Sequence, residues 1–251
     1  MSDVRVETWT ASDGVELAYH ELGEGRAVVL LHGLFSDANV NWIRFGHAAR
    51  IAGAGFQVIM PDLRAHGLSG KPHGEQYYPK GILARDLGEL IAHLGLTDFD
   101  LGGFSLGSRT TVEGVGEGLK PRKAILGGAG LEGLRNWKRR KTFFLDAIEQ
   151  FDSAQRGDPH WLSIQFMKSQ KMDRVAAAQL LESFEDAFMN WLQAFTMPTL
   201  VVCGDQDDDN GSAEELANVL PRAIFREVPG THMSSVTKPE LGETIAEFLS
   251  A

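Results

Sequence analysis

Cysteine is almost absent from this chain: Cys203 stands alone among 251 residues. No disulfide can close within the chain, so stability has to come from a packed interior, and the composition fits a reducing compartment. Cys203 lies in the apolar run Thr199-Leu200-Val201-Val202-Cys203, where a buried structural thiol is expected. Basic residues are also short, 24 Lys and Arg against 34 Asp and Glu, for a formal net charge of −10. That balance argues against a nucleic-acid footprint, which needs clustered positive surface. The local exception is Lys138-Arg139-Arg140-Lys141, expected to be a solvated helix face. No uninterrupted apolar run approaches the ~20 residues that span a bilayer. Met1 to Glu7 carries no apolar stretch of the signal-peptide kind. The expectation is a soluble, cytoplasmic protein with neither a nucleic-acid nor a membrane partner; its oligomeric state is open.

Apolar residues make up 43% of the chain, enough for the core of one α/β domain with a modest insertion. Val4 to Thr10 alternates Val4, Val6 and Thr8 against Arg5, Glu7 and Trp9, the pattern of a half-buried strand. Ser12-Asp13-Gly14 turns it into a hairpin with Val15 to Leu22. Ala27 to Leu31 and Phe56 to Met60 are continuous apolar runs fit for central parallel strands. Asn41 to Gly53 carries a helical stripe, and Leu83, Leu87, Leu90, Ile91 and Leu94 recur at helical spacing. A short strand at Asp100 to Phe104, a helix from Arg109 and a strand at Lys123 to Leu126 follow.

Leu131 to Phe195 has no strand pattern and is dense in aromatics, with helical patterns at Trp137 to Phe151, Trp161 to Met167 and Val175 to Phe195. After Pro198 the alternation returns: strand Thr199 to Gly204, helix Ser212 to Leu220, strand Ala223 to Val228 and helix Pro239 to Leu249. Strands alternating with helices imply a parallel sheet covered on both faces. The expected organisation is a core of residues 1–130 and 196–251, with residues 131–195 inserted as a helical cap.

Gly103-Phe104-Ser105-Leu106-Gly107 sits between a strand and a helix. In that context G-x-S-x-G forms a sharp turn that strains its central residue, while the glycines let strand and helix approach. Three further motifs accompany it: His32-Gly33 after one buried strand, Asp62-x-Arg64-x-His66-Gly67-x-Ser69 after the next, and the late pair Gly204-x-x-Asp207 and Gly230-Thr231-His232. Together they resemble the α/β-hydrolase fold family over nearly the whole chain, in its carboxylesterase-like branch with a helical cap. Ala65 departs from the glycine that many relatives carry in R-G-H-G.

The resemblance implies a mostly parallel sheet flanked by helices and a catalytic serine at Ser105. A serine hydroxyl is barely ionised at neutral pH and needs a base. His232 is the candidate, in a loop expected at the same sheet edge; an imidazole can take the Ser105 proton and return it to a leaving group. The other seven histidines fall in strands, helices, the cap or shape-forming loops. Asp207 is the candidate acid by its spacing from Gly204, with Asp205 and Asp208 as fallbacks in the same aspartate-rich stretch. It would hold the imidazole tautomer and stabilise the imidazolium. Oxyanion donors would be the backbone N–H groups of Leu106 and Leu34, with Phe35 the alternative to Leu34. The Asp62 to Ser69 loop is expected to be architectural. The aspartate-rich stretch lacks the spacing and terminal Glu of a calcium loop, so neither a metal nor a cofactor is expected.

Ser105 stands where epoxide hydrolases and haloalkane dehalogenases of this fold carry an aspartate, which points to acyl transfer. The stretch Leu30 to Ser36 resembles small carboxylesterases with an H-G-L-F loop, implying a small apolar or aromatic ester cleaved through an acyl-enzyme. The runner-up is a C–C bond hydrolase of ring-cleavage products, with Arg135, Arg139 or Arg140 taking a substrate carboxylate. Asn41-Trp42 resembles that group, but its H-G-x-G-P-G loop is missing. Lactonase and perhydrolase activity share the same chemistry. From another class, a small-molecule sensor with an intact triad would show little or no turnover.

Overall fold

The computed structural model describes residues 3–135 and 137–251. Met1, Ser2 and Asn136, which the expected core and cap ranges include, lie outside the described residues. The continuous apolar runs become the middle of one sheet. Its strands are β1 Arg5–Thr10, β2 Glu16–Leu22, β3 Arg26–Leu31, β4 Phe56–Pro61, β5 Phe99–Phe104, β6 Ala124–Gly127, β7 Thr199–Gly204 and β8 Ala223–Val228. They form an 8-stranded sheet in the order β1-β2-β4-β3-β5-β6-β7-β8. Strand β2 runs antiparallel to both its neighbours, and every pairing from β4 to β8 is parallel.

Strand β3 explains why its sequence has no polar face. Val28 and Leu30 point into a layer with Trp42, Ile51 and Ile245, while Val29 and Leu31 enter the opposite layer with Leu87 and Val112. A parallel strand buried on both sides must be apolar throughout. Helices α1 His47–Gly53 and, near the C-terminus, Pro239–Ser250 pack against each other on the first face. On the other lie α2 Ile82–His93, α3 Leu106–Gly116 and the helix Ala213–Val219. Between β6 and β7 run α4 Leu131–Arg135, α5 Trp137–Glu149, α6 Trp161–Ser169 and α7 Arg174–Glu182, with no strand among the described residues. Their buried side chains, including Trp137, Ile164, Met167 and Leu181, join the apolar layer that holds α2 and α3. The helices after α7 are numbered in order: α8 Ala213–Val219, α9 His232–Ser235 and α10 Pro239–Ser250.

Three local expectations differ from the structure. Only Trp9 is buried along β1, and Val6 is 49% exposed; β1 is the edge strand of the sheet, paired on one side only. The stripe from Asn41 to Gly53 is not one helix. A π-helical turn at Asn39–Ile43 is followed by Gly46 at φ 79°, a left-handed residue that restarts the chain as α1. The pattern from Val175 to Phe195 also breaks, because α7 ends at Glu182 and a short 3-10 turn covers Met189–Ala194. The stretch between them pairs with the start of the inserted segment instead. Ala187 N–H donates to Leu134 O at 2.9 Å, and Asp186 Oδ1 accepts Trp137 N–H at 2.8 Å.

Candidate active site

The elbow is held by close backbone approach. Ser105 has φ 53° and ψ −109°, a left-handed conformation for a residue with a side chain. Such strain costs ~1–3 kcal/mol and survives only where the surroundings enforce it. A Cβ on Gly103 would lie 2.4 Å from the Gly107 carbonyl carbon, and one on Gly107 would lie 2.3 Å from Leu31 O. Both positions therefore require glycine. Ser105 N–H donates to Gly127 O at 2.8 Å. The buried Ser108 hydroxyl lies 2.8 Å from both Gly103 O and Gly127 O, pinning the turn to β5 and β6.

The loops after β7 and β8 meet because glycine lets them. A Cβ on Gly204 would fall 2.1 Å from Gly230 O. His232 opens the single turn α9 rather than lying in an open loop, and Thr231 caps it by accepting Ser234 N–H. The His232 side chain is 11% exposed and Asp207 1%, with His232 Nδ1 at 2.8 Å from Asp207 Oδ2. The carboxylate fixes the tautomer: Nδ1–H donates to Asp207 and leaves Nε2 as an acceptor. Burial pushes the Asp207 carboxyl up, but the His232 hydrogen bond and charge outweigh it and hold it below its ordinary value. Cys203 is buried as expected and does more than fill space. Its Sγ lies 3.3 Å from Asp207 Oδ2, and burial together with Asp207 keeps the thiol protonated as a donor.

The neighbouring aspartates do other things. Asp205 Oδ1 accepts Gly230 N–H at 2.8 Å, and Asp208 is exposed. Of the three candidates only Asp207 contacts His232. The imidazole in turn packs on Phe104, ring centroids 5.1 Å apart, beside the elbow. No hydrogen bond joins Ser105 to His232 among the described residues; such contacts are often long before substrate binds. Among the described residues, Asp207, Asp209 and His232 also bring metal-capable atoms within 4.8 Å of one another. The Asp207–His232 hydrogen bond already engages two of the three.

On the other side of the elbow the loop after β3 is tied down by side chains. Gly33 N–H donates to Asn41 Oδ1 at 2.9 Å, and Phe35 N–H donates to His66 Nε2 at 3.1 Å. Phe35, the alternative oxyanion donor, thus has its N–H committed. The N–H groups of Leu34 and of Leu106, first residue of α3, meet no acceptor among the described residues. Leu34 and Leu106 line a small cleft of about 270 Å³, counting the part open to solvent, together with Ser105.

Beneath this cleft the Asp62 to Ser69 loop is a closed network. Asp62 accepts Ala38 N–H at 2.8 Å, Leu68 N–H at 2.7 Å and the His20 ring at 3.2 Å. Burial raises its carboxyl, yet the hydrogen bonds from His20 and the backbone prevail and hold it below the usual range. Fully buried Arg64 forms a fork with Asp86 and reaches Asp13. His32 Nε2 accepts Leu63 N–H at 2.9 Å, and His66 Nδ1 donates to Arg64 O at 2.9 Å. Burial lowers the pKa of both rings, that of His66 to about 3, so both are neutral acceptors.

The remaining lining of the cleft is Arg109, Gly133, Trp137, Arg140 and Asn210, of which the sequence singles out only Arg140 as a possible substrate contact. Arg109 lies four residues after Ser105, one turn along α3, which was a signal in the sequence. For Arg140 the expectation of a wholly solvated basic face is corrected. Lys138 and Arg139 are exposed, but Arg140 turns inward and its Nη1 donates to Asp209 O at 2.6 Å. Arg135 and Arg139, the other two arginines considered, are exposed and do not line the cleft.

Among the described residues no helix is long and apolar enough to cross a membrane. The family model for the alpha/beta hydrolase fold matches residues 26–113. A non-heme haloperoxidase of Rhodococcus erythropolis is 31% identical over 280 aligned positions, covering 96% of this chain and 98% of that protein. Among solved structures, a thermophilic esterase of Thermogutta terrifontis superposes with a TM-score of 0.75 at 26% identity, covering 99% and 98% of the two chains. An esterase of Exiguobacterium antarcticum reaches a TM-score of 0.80 at 21% identity over 97% and 99%, a likeness of fold. The sheet order, the strained turn between β5 and α3 and these similarities agree, and the chain belongs to the alpha/beta hydrolase fold family.

Proposed function

We propose that this protein is a serine hydrolase that cleaves a small carboxylic ester through an acyl-enzyme, with residues 131–195 acting as a cap over the site. The observation that carries this reading is the Asp207–His232 hydrogen bond set against the elbow that presents Ser105. In the proposed sequence Ser105 Oγ attacks the ester carbonyl while His232 Nε2 takes its proton. The oxyanion is met by the uncommitted N–H groups of Leu34 and Leu106, the latter at a helix N-terminus. His232 then protonates the departing alkoxide. Water attacks the acyl-enzyme with the same imidazole as base, releasing the acid and restoring Ser105. Asp207 stays ionised throughout and keeps the ring oriented.

A fluorophosphonate probe tests this directly. One adduct on Ser105, abolished by Ser105→Ala, is the expected mass-spectrometric result; a folded protein that takes no label would remove the serine-hydrolase reading. Turnover of p-nitrophenyl butyrate separates an enzyme from a sensor, which would label yet hardly turn over. One observation favours a second reaction at the same serine, the similarity over nearly the whole chain to a protein named as a haloperoxidase. In that reading hydrogen peroxide replaces water on the acyl-enzyme and the product is a peracid; added peroxide would then divert the acyl group.

A further inference from the structure

We propose that Arg109 and Arg140 form an anion-binding subsite beside Ser105, so that the ester substrate carries a carboxylate close to its scissile carbonyl. The inference rests on the serine-hydrolase reading for its chemistry, but its anion site stands on separate observations. Both side chains line the cleft that contains Ser105. Arg109 is 8% exposed, and its Nη1 has no hydrogen-bond partner. Its Nη2 donates to Glu185 O, and its guanidinium lies 5.2 Å from the Trp137 ring centroid. Arg140 spends Nη1 on Asp209 O and leaves Nε buried without a partner.

Arg64 supplies the contrast within the same molecule. It is fully buried, and carboxylates of Asp86 and Asp13 occupy its fork. No salt bridge of that kind reaches Arg109 or Arg140 among the described residues. Carboxylates stand further off, Glu113 and Asp186 near Arg109, and Asp207 and Asp209 near Arg140. Burial lowers both guanidinium pKa values and these carboxylates only partly offset it, yet guanidinium remains charged at neutral pH. Each arginine also repels the other, since Arg140 acts against the charge of Arg109. Two like charges with unmet donors in a cleft are unfavourable unless something negative joins them. A planar carboxylate matches the guanidinium fork and would satisfy donors on both. The aromatic faces of Trp137 and Phe144 hold the two cations by cation–π contact, which keeps them in place without consuming those donors.

The test compares paired probes. The p-nitrophenyl monoester of glutaric acid carries the charge, and p-nitrophenyl pentanoate is its neutral match. In the wild type kcat/KM should favour the charged ester by about 10- to 100-fold, the range for a hydrogen bond to a charged partner. Arg109→Gln and Arg140→Gln should each erase most of that ratio, and Arg109→Lys should retain part of it. A second arm needs no turnover: glutarate should raise the Tm of the wild type while glutaramide does not, and the shift should vanish in either Gln variant. Should Arg109→Gln fail to fold, Arg140→Gln and the wild-type comparison of glutarate with glutaramide still decide. Fluorophosphonate labelling with no charge preference and no glutarate shift would overturn the subsite and leave the hydrolase reading standing. A glutarate shift lost in the Gln variants, with no labelling of Ser105, would keep the subsite and remove the hydrolase.

Discussion

Two polar clusters lie on either side of the loop after β3, and they differ in how completely their hydrogen bonds are met. In the floor, Asp62, Arg64, His32 and His66 spend their polar atoms on backbone groups and on the side chains of His20, Asp86 and Asp13. In the cleft above, the N–H groups of Leu34 and Leu106 and donors of Arg109 and Arg140 are left over. Burying an unmet polar group is costly, so a closed network reads as architecture and an open one as a place for a ligand. Histidine illustrates the same division. His66 is an acceptor for Phe35 N–H and cannot serve as a base without releasing that loop, whereas His232 has one nitrogen held by Asp207 and the other free to act.

The comparison breaks most visibly if a carboxylate is altered in each half. Asp207→Asn should lower kcat by about 10⁴, the loss typical when the orienting acid of a triad becomes an amide. Asp205→Asn, whose carboxylate only meets Gly230 N–H, should change kcat by less than about tenfold on the same scale. Ester kinetics check both, and equal losses would undo the assignment of the acid. Asp62→Ala should act on stability first. It strands the buried Ala38 N–H at ~1–3 kcal/mol and also frees the more exposed Leu68 N–H, so urea unfolding should register a loss of at least ~1–3 kcal/mol. Full stability with lost turnover would instead place Asp62 among the catalytic groups.

A last comparison is a pH slope. His32, His47 and His66 are buried, and burial lowers their pKa values, that of His66 to about 3. Below pH ~6.5 the unfolded chain takes up protons at these rings while the folded chain does not, so stability falls as pH falls. Each such histidine contributes up to about 1.4 kcal/mol per pH unit until its folded-state pKa is reached. Asp62 and Asp207, held below their usual range, lose their stabilising contribution only at lower pH, beneath the ordinary carboxylate value. Tm should therefore decline from pH 7 to pH 5, and His66→Gln should flatten part of the slope. A Tm independent of pH across that interval would mean that these rings are not buried neutral.

Much of the fold was readable because its signals are local. The apolar runs at Ala27 to Leu31 and Thr199 to Gly204 correspond to β3 and β7, and Ala223 to Val228 coincides with β8. The errors came where tertiary contacts override local pattern. Val6 alternates correctly, but at its place on the edge strand it is left 49% exposed. Phe184 to Phe188 lie in an otherwise helical stretch, yet the Ala187 N–H and the Asp186 side chain bond to the α4–α5 region. Gly46, a single left-handed residue, interrupts a helical stripe that composition alone would continue.

By itself the sequence determined the α/β alternation and the candidate nucleophile, because strand and helix periodicity and the steric demands of Gly103-Phe104-Ser105-Leu106-Gly107 act over a few residues. Only the tertiary structure decided which aspartate faces His232, since that depends on the Gly204–Gly230 approach across 26 positions of chain. It also decided that Phe35 N–H is taken by His66, and that Arg109 and Arg140, one on α3 and one on α5, share a cleft with Ser105. Those relations join segments distant in sequence, and hydrogen-bond completeness becomes visible only when such segments are packed together.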